Sequence, residues 1–532
     1  MENGFPALGE VARFLFNSTG VLAQKESRLH VLNSERDKKK LQTRLKRLVA
    51  EEGDINKNLN DVLQLWVKHI DVISPSPKVT IAIAETIRDL LIQYTDLIRR
   101  EGTYLDKKQS LYFSLRYSLV HGLANSILKN TYRFNLRDLH LTLPENEYWF
   151  LPEIDNDRIV WPIEKALRWT YRVANTSQTH FHYPGQTVDS ENFKLKRNLE
   201  NAENWLHNRN LPSWGALHTN LLESFEAMES CDDEHHKRII DTSRQKSIIF
   251  VFLMARTSTY VTQLIVKHFG RDKLLILIKQ LKQRNQLLDA FVYNNIREKT
   301  ERIISDVMCD SVEQEQLIDA IWYESVQRCW QLISPAVIQA GNYAQQCYQR
   351  NHETSLTDQQ RAHIRDVYGK LSLCLIEEGM AVLSDFTLSE TFVTLEFEGQ
   401  RLRKNAKSLD DIEKYQQRLA ESPHKIPLQW LLEWSKGALY TRKGELHLAH
   451  RHLGNALNLG RYCAGLKQKE LVKQYLKVCV QIDNIKDFKK AFFWAAYLYI
   501  ELPWWTKESE DLNKEAIGMY RLYQQNPILL GL

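Results

Sequence analysis

Apolar residues recur at every third or fourth position through "NLNDVLQLWVKHI", residues 58–70, and again through "IAIAETIRDLLIQYTDLI", residues 81–98. That interval lays them along one stripe of a helix, and the stripe leaves water only if a second element covers it. Between the two runs lies "VISPSPKVT", where two prolines force extended backbone and end the first helix. Helix, break and helix of this kind fold as antiparallel neighbours in a bundle. Breakers are scarce along the whole chain, with 20 glycines and 13 prolines in 532 residues, and helix-forming Leu, Gln, Glu, Lys and Arg are abundant. The fold class is therefore all-α.

At roughly 100 to 200 residues per domain, the chain has room for two to four. The pattern divides it into an N-terminal helical bundle over 1–142, a helical region over 143–237, a second bundle over 238–383 and helical hairpins over 384–532. Periodicity lapses in "LTLPENEYWFLPEIDNDRIVWP", residues 141–162, which reads as a boundary with short extended pieces. Pro162 then suits the first turn of a helix carrying Ile163, Ala166, Leu167 and Tyr171 on one face. Further breaks fall at "HFGRDK", at "NHETSLTDQQ", where Ser355 or Thr357 can cap a helix ahead of Asp358, at "SDFTLSETF" and at "ESPHKIP".

The net charge of +5 demands no polyanionic partner. Locally, Lys25, Arg28, Arg36, Lys38, Lys39, Lys40, Arg44, Lys46 and Arg47 outnumber Glu26, Glu35 and Asp37, with Leu41, Leu45 and Leu48 at helical spacing beneath. Two readings stay open: a solvated face docked by its leucines, or a surface that meets phosphates. Seven cysteines, with no Cys-x-x-Cys pair, read as buried thiols of a reducing compartment. The first twenty residues lack the pattern of a secretory signal, and the longest apolar run, 248–255, is far short of the ~20 residues that span a bilayer. A cytoplasmic protein without membrane association is expected.

In "WLHNRNLPSWGALHTNL", residues 205–221, Trp205, Asn208, Pro212 and Leu217 keep the order and intervals of the second half of a lambda-repressor-like helix-turn-helix, which this stretch resembles. The first helix should end near Asn208, in a left-handed turn, and the next should start at Leu211. The resemblance implies DNA contact, with Lys194, Lys196, Arg197 and Arg209 along phosphates. Upstream, Lys196 and Arg197 stand where the family places a Gly-containing turn.

Residues 428–460 place Gly437, Tyr440, Gly444, Ala449, Leu453 and Ala456 at the intervals of a tetratricopeptide repeat, which this stretch resembles. Small residues let two antiparallel helices approach, large ones fill the space between them, and Gly444 closes the turn. Lys436 departs from the family's leucine, and Arg461 lies near its closing proline. The next stretch, residues 469–500, has the same shape, with Asp487, Phe488 and Ala491 after its turn. Such repeats imply a surface for a protein or peptide partner, and helices from Ala362 onward are expected to complete the array.

No phosphate-binding loop, dinucleotide fingerprint, nucleophile elbow or zinc-protease pair occurs. "HFH", with His180 and His182, and "CDDEHH", residues 231–236, read as polar loop or helix ends rather than metal sites. Glu377 and Glu378 point apart on a helix. No cofactor is expected. Trp504 and Trp505, in "LPWWTKESED", cannot easily share one core, and an exposed pair would mark a contact surface. The chain reads as a non-enzymatic interaction or regulatory protein; a DNA-binding regulator is the alternative, and an enzyme with an unfamiliar helical site stays open.

Overall fold

The computed structural model describes residues 4–19, 35–102, 105–134, 136–155, 158–181, 193–231, 235, 237–292, 356–366, 390–506 and 511–530, with single positions between 302 and 377. Its helices are α1 (Leu8–Thr19), α2 (Glu35–Ala50), α3 (Ile55–Ile73), α4 (Pro77–Arg100), α5 (Lys107–Ser114), α6 (Val120–Arg133), α7 (Pro162–Val173), α8 (Gln178–Phe181), α9 (Phe193–Leu206), α10 (Trp214–Glu229), α11 (Thr242–Phe269) and α12 (Arg271–Val292), followed by α13 (Glu390–Asn405), α14 (Leu409–Glu421), α15 (Lys425–Lys443), α16 (Leu446–Gly460), α17 (Gln468–Gln481), α18 (Ile485–Tyr497) and α19 (Leu512–Gln525). The fold is all-α; strands Glu153–Asp155 and Arg158–Val160 make one antiparallel pair in the expected break. Pro77 and Pro162 both stand in the first turns of helices, where a missing N–H costs nothing. Thr357 and Gln360 cap each other's backbone (3.3 and 2.9 Å); Ser355 lies outside the described residues.

Two compact units interleave along the chain: Ala7–Glu85 with Phe134–Ile278, here the basic-helix unit, and Met1–Pro6 with Thr86–Arg133 and Lys279–Leu532, here the hairpin unit. They cut across the four consecutive segments expected from the sequence, because packing partners are chosen by apolar faces rather than by neighbourhood in the chain.

The basic-helix unit is organised on α11. Ile248, Val251, Phe252, Leu253 and Ala255 are buried in this helix, and α1 and α7 pack against it. Among the described residues α11 is the one helix long and apolar enough to cross a membrane, by length and composition alone. Scanning for an unbroken apolar run overlooks it, since Arg256 and several threonines interrupt the run. Those residues act as core anchors. Thr259 Oγ1 accepts the N–H of Ile163 at 3.1 Å, and Arg256 donates to the carbonyls of Pro212 (3.0 Å), Asn17 (2.9 Å) and Ser18. The last turn of α1 has no basic residue of its own, so Arg256 supplies the cation that its unpaired carbonyls favour. Burial lowers the Arg256 pKa to about 10, still charged at neutral pH.

The helix-turn-helix-like stretch lies in this unit. Asn208 takes φ +51°, and the N–H groups of Asn208 and Arg209 close α9 on the carbonyls of Trp205 (3.1 Å) and Asn204 (2.8 Å). Helix α10 begins at Trp214 rather than Leu211, because Ser213 is its cap and accepts from the N–H of Ala216 at 3.2 Å. Pro212 therefore precedes the cap and does not open the helix. Gln263 donates to Asn208 Oδ1 at 2.8 Å, and Trp205, Trp214 and Leu217 are buried. The turn is fastened to α11 at both ends.

In the hairpin unit, α13–α14, α15–α16 and α17–α18 are three successive hairpins, followed by α19. Helix α15 is their centre. Its residues Leu431, Leu432, Glu433, Trp434 and Ser435 are all buried, so neighbours cover it on every side. Trp434 crosses all three hairpins: the Arg403 guanidinium of α13 lies 4.2 Å from its ring centroid, and its indole N–H donates to Gln474 of α17 at 2.7 Å. Gly437 sits where a Cβ would come within 2.7 Å of Leu453 Cγ, which lets α15 and α16 touch. Gly444, at φ +77°, caps α15, and Ala449, Leu453 and Ala456 are fully buried. Tyr440 is half-buried and stacks on His452, with centroids 5.4 Å apart. Lys436 reaches Gln416 of α14 at 2.8 Å, and Arg461 lies over Trp494 at 5.1 Å.

The array is partly covered by the chain's own earlier helices. Buried Gln468 donates to the Ile98 carbonyl and accepts from the Trp494 indole, both at 2.9 Å, and Thr95 bonds Tyr497 at 2.8 Å. Two stability outcomes follow. Replacing Arg256 with Met strands three carbonyls and should cost about 2 to 4 kcal/mol in urea unfolding. Gly437→Ala overpacks a fully buried leucine and should cost about 1 to 3 kcal/mol.

Candidate functional site

Among the described residues of the hairpin unit the most exposed aromatic side chain is Trp504, in the connection from α18 to α19, followed by Phe397 of α13 at 74%. Helix α18 ends without a glycine. Tyr499 takes the left-handed position instead, at φ +53°, while the N–H of Ile500 bonds the Ala495 carbonyl at 2.9 Å. Five residues on, Trp504 also has a left-handed backbone, φ +61°. Bulky side chains rarely take this conformation, which costs on the order of 1–3 kcal/mol and persists only where surrounding contacts hold it.

Those contacts come from Trp505 and Pro503. The Trp505 indole N–H donates to Glu515 of α19 at 3.1 Å, and its ring meets Phe492 edge-on with centroids 5.0 Å apart. Tyr523 donates to the Pro503 carbonyl at 2.7 Å. Fixed on both sides, Trp504 projects outward with 78% of its surface exposed, and Tyr499 in the same connection is 61% exposed. The two tryptophans expected to act as a pair thus divide: Trp505 is the half-buried wedge, and Trp504 is the free face. Tyr499 was not singled out from the sequence. Its signal was an absence, a helix end with no glycine to take the left-handed turn.

Polar clusters in the same array are inward and structural in their geometry. Two histidines of α16, two positions apart, face opposite neighbours. His452 Nδ1 donates to Glu433 of α15 at 2.9 Å, while His450 stacks on Tyr475 of α17 and places Nε2 3.2 Å from both the Tyr475 hydroxyl and Asp487. Burial and the charge of Asp487 push the Cys479 thiol well above its ordinary range, and burial pushes that of Cys463 up to about 12. Neither is poised as a thiolate. Burial opposes ionisation of Glu433, but the hydrogen bonds from His452 and from Asn455 (3.3 Å) outweigh it, so its carboxyl is held below the ordinary range.

The remaining sequence-derived residues scatter. Lys194, Lys196 and Arg197 belong to the start of α9, and their side chains lie outside the described residues; Arg209 is exposed beside the Asn208 turn. His180 bonds Ser177 at 2.8 Å, whereas His182 and most of "CDDEHH" lie outside the described residues. Glu377 pairs with Arg361 at 2.7 Å, and Glu378 lies outside the described residues. Among the described residues, no three His, Cys, Asp or Glu side chains gather where they would hold a metal ion. In comparison with known proteins, no family model, no curated protein and no solved structure matches the chain.

The Glu433 cluster has a pH signature. A carboxyl depressed in the folded state contributes stability above its ordinary unfolded pKa and loses it as pH falls through the folded value. Glu433→Gln should therefore cost about 1–2 kcal/mol at pH 7 and progressively less toward pH 3 in urea titrations.

Proposed function

We propose that this chain is a non-enzymatic, cytoplasmic interaction or regulatory protein that binds a protein or peptide partner through its C-terminal hairpins, a region with the residue pattern of tetratricopeptide repeats. The observation that carries this reading is the outward Trp504 on a backbone that costs free energy to hold. Aromatic anchors on preordered backbone bind with little further loss of conformational entropy, and tryptophan is enriched among residues that dominate interface energies. The rest of the array supports the same location. Helix α15 is enclosed, and α17 and α18 are bonded to α4, so the α18–α19 connection is a part of the array whose large side chains face solvent. The buried free thiols of Cys231, Cys463 and Cys479 agree with a reducing compartment. The alternative of DNA reading near Trp205 draws on exposed Arg209 alone among the side chains described there.

Affinity purification from the native host, run in parallel with wild type, Trp504→Ala and Trp505→Ala, tests the reading. Trp504→Ala should deplete the specific partner at least tenfold while its unfolding free energy stays within about 0.5 kcal/mol of wild type. Trp505→Ala should lose both partner and stability. An unchanged partner set with Trp504→Ala would refute the reading.

A further inference from the structure

A second surface lies on the basic-helix unit. Leu41 and Leu48 of α2 are buried where the helix packs on α1 and α3, and Arg44 beneath the outer face is paired with Asp61 at 2.7 Å. Lys39, Lys40, Lys46 and Arg47 remain exposed, and among the described residues none of them has an ion-pair partner. Among the described side chains the nearby acids are displaced or occupied: Glu51 and Glu52 follow the end of α2, and Asp54 caps α3 by accepting from the N–H of Lys57 at 2.9 Å.

We propose that this outer face of α2 binds the phosphate backbone of a nucleic-acid duplex. The four cations form two pairs, Lys39 with Lys40 and Lys46 with Arg47, separated by two helical turns, or about 10 Å along the axis. A small anion needs convergent donors; a row of separated charges matches a linear polyanion. An anionic bilayer fits less well, since an amphipathic helix binds membranes by inserting its apolar face, and here Leu41 and Leu48 are taken up by the fold. Phosphate contacts carry no sequence information, so binding through these four cations should be independent of sequence. It is also independent of the partner surface at Trp504.

Fluorescence anisotropy with the full chain and a DNA duplex of about 20 arbitrary base pairs tests the proposal. Affinity should fall with salt along a log–log slope of about −3 to −4, as expected for four phosphate contacts. Changing Lys39, Lys40, Lys46 and Arg47 to Gln should weaken binding at least thirtyfold, whereas changing the three lysines to Arg should preserve it. If the Gln variant is unfolded by circular dichroism, lysine acetylation of the wild-type chain decides: bound duplex should protect Lys39, Lys40 and Lys46 but not Lys68 and Lys78. No duplex binding at low salt, binding without that protection, or capture by phosphatidylserine vesicles in place of the duplex would overturn the assignment.

Discussion

The hairpin unit depends on the enclosure of Trp434. A large aromatic buried at the middle of α15 removes a great deal of apolar surface from water, but its indole N–H must find an acceptor in the interior. Gln474 provides it from α17, and Arg403 covers the ring face from α13, so one side chain ties three successive hairpins together. Neighbouring helices then have little freedom of register. Gly437 sets how closely α16 can approach, and the opposed histidines of α16 satisfy Glu433 on one side and Tyr475 with Asp487 on the other.

Polar side chains perform the same task in the other unit. Arg256 gathers carbonyls from the end of α1 and from the segment before α10, and Gln263 holds the turn at Asn208. Both belong to α11, whose apolar content alone would suit a lipid environment. Their hydrogen bonds join α11 to the end of α1 and to both sides of the turn between α9 and α10. Burial of polar groups in this protein is coupled to closure of helix ends, where unpaired carbonyls and N–H groups require partners.

Glycine scarcity has a structural counterpart. Helix ends are closed by Glu51, Asn175, Asn208, Asp483 and Tyr499 in left-handed backbone, with Gly444 doing so at the end of α15. Asn and Asp tolerate that conformation through short polar side chains; tyrosine does not, and its presence there places an aromatic ring at the surface.

Helical periodicity, sparse breakers and proline positions made the all-α class legible, along with the break before Pro77, the start of α7 and the left-handed turn that follows α9. The tetratricopeptide resemblance implied that small Gly437 would let its helix approach Leu453, and a Cβ at 437 would indeed come within 2.7 Å of Leu453 Cγ. Local patterns did not show that Ser213 would displace the start of α10, that Arg256 would serve the end of α1, or that Trp505 would turn inward while Trp504 faced out. The Ser213 cap is a local bond from Ala216 that overrides the preference of Pro212 for a first turn; the other two outcomes depend on groups outside the local window: a carbonyl needing a donor, a carboxylate on α19 and a ring already in place on α18. Sequence alone determined which segments are helices and which faces must be covered, since those follow from neighbours three or four positions apart. The tertiary structure decided which faces were covered by which elements, and therefore which aromatic and basic side chains remained in solvent, because burial is settled by contacts between distant parts of the chain.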